Sequence, residues 1–376
     1  MICLRLAALT SAALLASACA HHPAVAPLPQ PPRQAALVTV SDDGIASTTI
    51  TVVNYNVAGL PFPVRRGTGT AMARIADAMT ASWNGDGRPD LLLLQEAFVP
   101  SASRLTFAAG FANHVRGPSA ASRPSVVKPN RESAEVLSRR IWRRGEGWPR
   151  MTGAGLALGT DFGIAAQVNE PFGPRSCAGW DCLSNKGVAL TWVEIPGVPE
   201  PLLILNTHLN SRGSTGVSRE RADLAHRQQV REMGDILARH WQGEVPLVYA
   251  GDFNTRNVPF RFDLKDERLP GELAHRFCFN HPERCRITMS WDSDEPWMDT
   301  QDLQGYASSR RIRVEPVAIA AEFDAPVDGE MLSDHDALRV TYRLSWRVDG
   351  QPWSDGLQAD AGAGAAEQAL GAEPAP

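Results

Sequence analysis

The segment LVYAGDFNTR, residues 247–256, constrains the fold more than any other part of the chain. Its apolar start, LVYA, has the length and composition of a buried strand, and Gly251 allows the backbone to bend where that strand stops. Because side chains alternate along an extended chain, Asp252 and Asn254 point the same way and Phe253 points to the core. Hard oxygen ligands at a strand end suit Mg²⁺ and phosphate, although Asp and Asn also favour an Asx turn.

Four other segments carry polar side chains where an apolar strand runs out. A carboxylate beside a buried strand must be paired, hydrogen-bonded or bound to a cation, and an Asp next to a His near a cleft forms an acid–base unit. Phosphodiester hydrolysis needs these parts: a cation on the phosphoryl oxygens, a base for water, and an acid or cation for the leaving group. These residues are Asn56, Glu96, His208, and Asp334 with His335. The alternatives are a bulge for Asn56, a buried salt bridge for Glu96, a satisfied core histidine for His208, and a turn or helix cap for Asp334 and His335.

The periodicity of the chain predicts two packed sheets with helices outside them. Strands are predicted at residues 48–57, 90–95, 187–195, 202–209, 247–250 and 337–346. Helices are predicted at residues 70–82, 131–144 and 218–241, with Ser218 capping the last one. The short turn between the strands at 187–195 and 202–209 predicts a hairpin. We therefore expect one domain over residues 47–346.

Both ends of the chain have compositions that do not predict a packed fold. Residues 1–20 read as an export signal, with a short apolar run followed by small residues and Cys19. This cysteine resembles a bacterial lipoprotein cleavage site and predicts an outer-membrane or cell-surface lipoprotein; the alternative is ordinary export to the periplasm or the medium. Residues 21–46 are a Pro- and Ala-rich linker, and residues 347–376 are an Ala- and Gly-rich tail that we expect to be disordered.

Four cysteines follow the signal, and they fall into two local pairs. In an exported protein, short-loop disulfides are expected, here Cys177 with Cys182 and Cys278 with Cys285. A four-cysteine zinc site is the alternative, although neither pair has the usual two-residue spacing. A net charge of −5 and a pI of about 6.0 argue against a protein that seeks nucleic acid by charge alone, but they do not exclude a metal-dependent nuclease.

The motifs, in their order along the chain, resemble those of the endonuclease/exonuclease/phosphatase superfamily. This DNase I-like group includes nucleases, inositol-phosphate phosphatases and neutral sphingomyelinases. The segments that carry the resemblance are NYNVAGLP, LLLLQEAF, LNTHL, GDFN and LSDH. The resemblance implies an α/β fold arranged as a four-layered α/β/β/α sandwich. It also implies cleavage of phosphoester bonds with Mg²⁺, or with Mn²⁺ as the alternative.

By position in these motifs, the resemblance implies how the metal, water and phosphate are held. Asn56 and Glu96 would hold the metal, and Asp334 would lie with them. Asp252 and Asn254 would orient the nucleophilic water and the phosphate.

The resemblance also implies the acid–base groups. His335 would be the general base or a phosphoryl-stabilising group, and His208 would stabilise the transition state or assist the leaving group. An Asp on a late strand would orient His335; Asp302 matches best, with Asp299 as the alternative. Lys186 would contact the phosphate, or else be an exposed lysine at a strand start.

The sequences of the segments NYNVAGLP, SNKGVAL and LNTHLN most resemble those of the sphingomyelinase and phospholipase-C-like branch. This resemblance implies a phospholipid substrate such as sphingomyelin, which export and membrane attachment through Cys19 also suit. Exposed tryptophans such as Trp142, Trp148 or Trp180 would contact lipid; the alternative is that these rings belong to the core. A secreted nuclease is the first alternative, because residues 138–150 interleave arginines with tryptophans. The second is a catalytically silent binding lipoprotein on the same fold.

Overall fold

The computed structural model describes residues 37–125, 138–291 and 293–354. The predicted export signal with Cys19, most of the predicted linker and most of the predicted tail lie outside the described residues. So does the first half of the helix predicted at 131–144. Within the part that the structure describes, no helix has the length and apolar character needed to cross a membrane.

The described residues form the following strands and helices. The strands are β1 (Thr39–Val40), β2 (Ile45–Asn56), β3 (Leu91–Gln95), β4 (Asn113–Arg116), β5 (Ala157–Thr160), β6 (Gly163–Pro171), β7 (Gly187–Glu194), β8 (Leu202–His208), β9 (Leu247–Asp252), β10 (Glu272–Leu273), β11 (Arg286–Thr288), β12 (Asp302–Ala307), β13 (Ile312–Glu322) and β14 (Ala337–Arg347). The α-helices are α1 (Thr68–Ser82), α2 (Pro100–Ser103), α3 (Leu105–Ala108), α4 (Arg219–His240), α5 (Pro259–Arg268) and α6 (Ala274–Asn280).

Two sheets pack face to face between these helices. One has the order β11-β13-β14-β2-β3-β5-β4, with β1 paired to β2, and the other has the order β10-β12-β9-β8-β7-β6. Apolar side chains of both inner faces form one buried cluster; Ile50 and Leu93 come from the first sheet, Ile204 and Val248 from the second. Since each sheet buries this face against the other, the predicted pair of packed sheets is confirmed.

Helices cover the two outer faces. Met72, Ile75 and Met79 of α1 pack on the outside of the first sheet, because they recur at helical spacing on one face. Val230 and Met233 of α4 cover the second sheet in the same way. The predicted cap is also present, since the Ser218 side chain accepts a hydrogen bond from the third residue of α4. The α/β/β/α arrangement follows.

Buried amides connect the two sheets across the apolar layer. The Gln95 side chain of β3 donates to the Asn206 side chain of β8, at 2.8 Å. The Gln304 side chain of β12 donates to the Asn54 side chain of β2, at 3.0 Å. Buried polar groups need partners, and these pairs fix how one sheet sits on the other.

The strand directions bring the motif-bearing ends to one edge of the sandwich. The parallel strands β2 and β3 end together, next to Asn56 and Glu96, and the parallel strands β8 and β9 end together at His208 and Asp252. β12 runs antiparallel to β9 and therefore begins at this same edge, at Asp302. β14 runs antiparallel to β2, so the loop before it also reaches this edge.

The ordered body is longer than the predicted 47–346. Thr39–Val40 pairs with β2 in an antiparallel ladder, although it lies in the predicted linker. At the other end, Arg313 stacks on the ring of Trp353 at 3.7 Å. The ordered chain therefore extends beyond residue 347, where the disordered tail was predicted to begin. The predicted strands and hairpin and the helices at 70–82 and 218–241 are confirmed, with small shifts at their ends. In the described half of the helix predicted at 131–144, Trp142–Arg144 is a short 3-10 turn.

Candidate active site

The carboxylate of Asp252, at the end of β9, is the centre of the polar cluster at this edge. Its Oδ2 atom accepts a hydrogen bond of 3.0 Å from the Asn56 side chain. The same oxygen lies 3.3 Å from Nε2 of His208 and 3.9 Å from Nε2 of His335. Three side chains from distant parts of the sequence thus meet at one buried oxygen of Asp252. Burial, and then the charge of Asp302, raise the pKa of Asp252 to about 7.

Local backbone geometry aims Asp252 at this point. Gly251 has a φ of 150°, and a Cβ atom there would lie 2.0 Å from the carbonyl oxygen of Thr207 on β8. Only glycine permits this approach of the two strands. Beyond it, Oδ1 of Asp252 accepts a hydrogen bond from the backbone N–H of Asn254, at 2.9 Å. The Asx turn considered as an alternative is therefore present, and it leaves Oδ2 of Asp252 facing the other polar groups.

Glu96 follows β3 in a left-handed backbone conformation, with a φ of 54°. Non-glycine residues rarely adopt this conformation, and it often marks functional sites. The carboxylate lies 3.9 Å from Nε2 of His208. Burial raises the pKa of Glu96, while the nearby charge of Lys186 opposes the rise. In the described residues, no arginine or lysine forms an ion pair with Glu96, so the predicted alternative of a buried salt bridge is not seen there.

His335 is held by Asp302, the first residue of β12. Nδ1 of His335 lies 2.5 Å from Oδ2 of Asp302, while Asp299, the alternative partner, instead accepts a hydrogen bond from Ser293. Burial lowers the pKa of His335, but the charge and hydrogen bond of Asp302 outweigh it and raise the pKa to about 10. Nε2 of His335 points to Asp252 and lies 3.0 Å from Nε2 of Gln301, a neighbour that the sequence did not single out.

Lys186 is buried rather than exposed at its strand start. Its ammonium donates to the Asp181 carboxylate at 2.8 Å and to the carbonyl of Leu209 at 2.7 Å. It also lies 3.2 Å from Nε2 of His208. Burial, together with the charges of Lys186 and His335, lowers the pKa of His208 well below its ordinary value. Asp181 was not recognised as part of this cluster from the sequence.

The predicted residues surround one open cavity of about 430 Å³. Asp334 is exposed at its rim, next to His335. Asn56 and Asp302 lie behind it, bonded to Asp252 and His335 respectively. Predicted members that line the cavity are Glu96, Lys186, His208, Asp252, Asn254, Asp334 and His335.

A buried arginine and a buried histidine support the loop after β9. Arg261 of α5 is fully buried and donates to the carbonyl oxygens of Asn210 and Asn254, at 3.0 and 2.9 Å. Its Nε atom donates to Asp223 of α4 at 2.8 Å. His226 of α4 lies 2.8 Å from the carbonyl oxygen of Phe253. These contacts hold Asn254, whose φ is 52°, in its left-handed conformation.

Both predicted disulfides are present. Cys177 and Cys182 close the loop that carries Asp181, and the bond between Cys278 and Cys285 joins the end of α6 to the start of β11. The zinc alternative is wrong, because all four sulfurs are used in these bonds.

The side chains at the cavity fit a hydrated hard cation better than a closed metal cage. In the described residues, no three His, Cys, Asp or Glu side chains are grouped closely enough to enclose a metal ion. Glu96 nevertheless brings a largely buried carboxylate, with no arginine or lysine of the described residues paired to it, beside the amide of Asn56, whose oxygen accepts a hydrogen bond from the N–H of Ala58 at 3.0 Å. Mg²⁺ commonly binds through one or two carboxylates and keeps water and phosphate oxygens as its other ligands.

Solved structures share this architecture. A form of beta toxin from Staphylococcus aureus is 16% identical, with a TM-score of 0.53, and the alignment covers 77% of this chain and 99% of the toxin. A double mutant of that toxin with bound magnesium ions is 17% identical, with a TM-score of 0.50 and coverage of 78% and 99%. The protein has the DNase I-like fold. A humanized TDP2 from D. rerio is 13% identical, with a TM-score of 0.50 and coverage of 78% and 98%. No protein-family model and no curated protein matches the sequence.

Proposed function

We propose that the protein is a metal-dependent phosphodiesterase. The observation that carries this proposal is the meeting of Asn56, His208 and His335 around Oδ2 of Asp252, at an open cavity. A phosphodiester hydrolase needs an anion-binding group, an acid–base pair and a cation, and each has candidates in this cluster. The beta toxin mutant of the same fold binds magnesium ions, which supports a divalent cation here.

Glu96 and Asn56 would hold the cation, with Asp334 at the rim of the cavity. When bound, Mg²⁺ or Mn²⁺ would polarise the phosphoryl oxygens and offset their charge. Asp252 and Asn254 would orient water and phosphate, because both residues line the cavity.

The two histidines have different surroundings and therefore different proposed roles. Asp302 favours a proton on His335, which then suits a group that donates to a phosphoryl oxygen or exchanges a proton with the attacking water. His208 is kept neutral by burial and by Lys186, so it can stabilise the transition state by hydrogen bonding or assist the leaving group. Lys186 would add a positive charge near the phosphate, although Asp181 already offsets part of it.

For the substrate we propose a phospholipid with a cationic headgroup, such as sphingomyelin. A second cavity of about 380 Å³ lies beside the first, with His335 in the wall that they share. It is lined by Asp324, Asp336 and Trp291, and in the described residues no arginine or lysine pairs with either acid. Acidic side chains beside an aromatic ring suit a quaternary ammonium group. Replacing both acids by Asn should raise KM for sphingomyelin more than KM for a neutral-leaving-group phosphodiester.

A nuclease is the second candidate, because the catalytic cavity also carries three arginines. Arg212, Arg219 and Arg256 line its outer part, where a phosphate backbone would lie. A silent binding lipoprotein on this fold is the remaining alternative, and it predicts no turnover of any phosphodiester.

The first experiment measures hydrolysis of bis-p-nitrophenyl phosphate with Mg²⁺ and with EDTA. We expect metal-dependent turnover that falls by roughly 10²–10⁴-fold in His335→Ala. His281→Ala is the matched control, because His281 is partly exposed and does not line the cavity. No turnover in the native chain, or equal loss in both variants, would contradict the proposal. A parallel assay on sphingomyelin vesicles and plasmid DNA then separates the phospholipase from the nuclease.

A further inference from the structure

Large apolar side chains are exposed together on one surface beside the catalytic cavity. Trp142 is 60% exposed and Met151 is 68% exposed, although apolar side chains of this size are normally covered. We call this group the tryptophan surface. Its members are Ile141, Trp142, Trp148, Met151 and Trp180.

The tryptophan surface is held by a buried ion pair rather than by a loose loop. Glu146 is buried and pairs with Arg221 of α4, and it also accepts a hydrogen bond from the N–H of Gly179 at 2.9 Å. This joins the segment around residue 146 to the segment around residue 179. The rings of Trp148 and Trp180 consequently meet edge to face, 6.5 Å apart.

The exposed charged side chains of the described segment 138–151 are basic. Arg140, Arg143 and Arg144 are exposed, and none of them forms an ion pair with another described residue. The only acid in the segment 138–151 is Glu146, which points inward to Arg221. Exposed apolar rings with unpaired basic side chains are typical of proteins that sit on an anionic bilayer. We propose that the tryptophan surface docks the protein on membranes that contain anionic phospholipid.

A membrane explains this surface better than a nucleic acid does. Ile141 and Met151 have no π face for bases to stack on, yet both would gain from burial at a lipid interface. The planes of Trp148 and Trp180 make an angle of 83°, which does not form a stacking platform. Tryptophan is also the side chain that prefers the boundary between water and lipid.

Docking through this surface would bring the catalytic cavity to the headgroup layer. Trp180 directly precedes Asp181, which holds Lys186 and lines that cavity. The inference goes beyond the proposed phosphodiesterase activity, because binding to a bilayer requires no turnover.

The test measures co-sedimentation of the full chain with phosphatidylcholine vesicles and with equimolar phosphatidylcholine–phosphatidylglycerol vesicles. All variants carry Cys19→Ser, so that a lipid chain at this residue cannot attach them, and EDTA is present throughout. The proposed hydrolysis does not run in EDTA, so a failure of that proposal leaves the binding result intact.

We expect preferential binding to the anionic vesicles. Arg143→Glu with Arg144→Glu should weaken it by at least about 30-fold, since each basic side chain near an anionic surface contributes about fivefold. Trp142→Ala with Met151→Ala should weaken it by about tenfold. The matched control is Arg310→Glu with Arg311→Glu, at exposed positions beyond the end of β12 that is remote from Asp302.

Several outcomes would overturn the proposal. One is equal vesicle binding by the Arg143/Arg144 variant and its control. Another is no binding of the parent chain to anionic vesicles. A third is a charge variant that loses retention on plasmid DNA while its vesicle binding stays unchanged, which would assign the surface to nucleic acid. Thermal melting of each variant is followed by circular dichroism, and a melting midpoint equal to that of the parent chain shows that the fold is intact.

Discussion

Replacing Asp302 by Asn tests the most specific contact of the candidate active site. The Asp302 carboxylate lies 2.5 Å from Nδ1 of His335, so it fixes the proton on that nitrogen and turns Nε2 towards Asp252. Burial alone would lower the pKa of His335, yet Asp302 and its acidic neighbours raise it from 6.5 to about 10. A rise of this size corresponds to about 5 kcal/mol in favour of the protonated ring.

The sign of the effect on stability follows from that raised pKa. The folded protein binds the proton more tightly than the unfolded chain, so the stabilisation is complete below pH 6.5 and is lost as the pH rises through about 10. At pH 7, Asp302→Asn should lower the free energy of unfolding by about 2 kcal/mol. The loss is smaller than 5 kcal/mol because the variant also removes the repulsion between Asp302 and Asp252. The difference should shrink as the pH rises and should change sign above about pH 10, because the repulsion between Asp302 and Asp252 remains once His335 has lost its proton.

The assay is an NMR titration of the His335 ring in EDTA, together with urea denaturation at several pH values. In Asp302→Asn the pKa of His335 should fall towards its ordinary range, and kcat for bis-p-nitrophenyl phosphate should fall by roughly 10²–10⁴-fold. Asp299→Asn carries the same change of charge without touching His335, so the ring should titrate as in the native protein. An unchanged pKa of His335 in Asp302→Asn would refute the reasoning.

Three further predictions concern the metal, the supporting arginine and a buried lysine. Glu96→Gln should raise the Mg²⁺ concentration needed for half-maximal hydrolysis; an identical metal titration would remove Glu96 from the ligand set. Arg261→Met should lower the free energy of unfolding by at least about 2 kcal/mol, because the carbonyl oxygens of Asn210 and Asn254 lose this buried donor while Arg212 still pairs with Asp223, and an unchanged urea midpoint would contradict this. Burial lowers the pKa of Lys265 to about 8, so the unfolded chain binds more protons between pH 8 and 10.5. The free energy of unfolding should therefore rise by at most about 3 kcal/mol over that interval, relative to Lys265→Met.

The sequence predicts the site residues because their signal is local. Strands such as β3 and β9 are short apolar runs, and a polar side chain directly after each run is visible without knowing the fold. Parallel and antiparallel pairing then brings these strand ends to one edge, which is why Asn56, His208 and Asp252 meet although they are far apart in the chain. The positions of the strands and their order in the sheets are enough to bring these site residues together.

The groups that hold those residues had no such signal. Arg261 lies in α5, which is not among the predicted helices, and its side chain turns inward because the carbonyl oxygens of Asn210 and Asn254 need a donor. The sequence favoured Asp302 and kept Asp299 as the alternative, since Asp299 precedes the strand that Asp302 begins. Only the antiparallel register, which sets Asp302 opposite Asp252, decides which carboxylate reaches His335. Side chains that act through backbone atoms or through register therefore become visible only once the sheets are assembled.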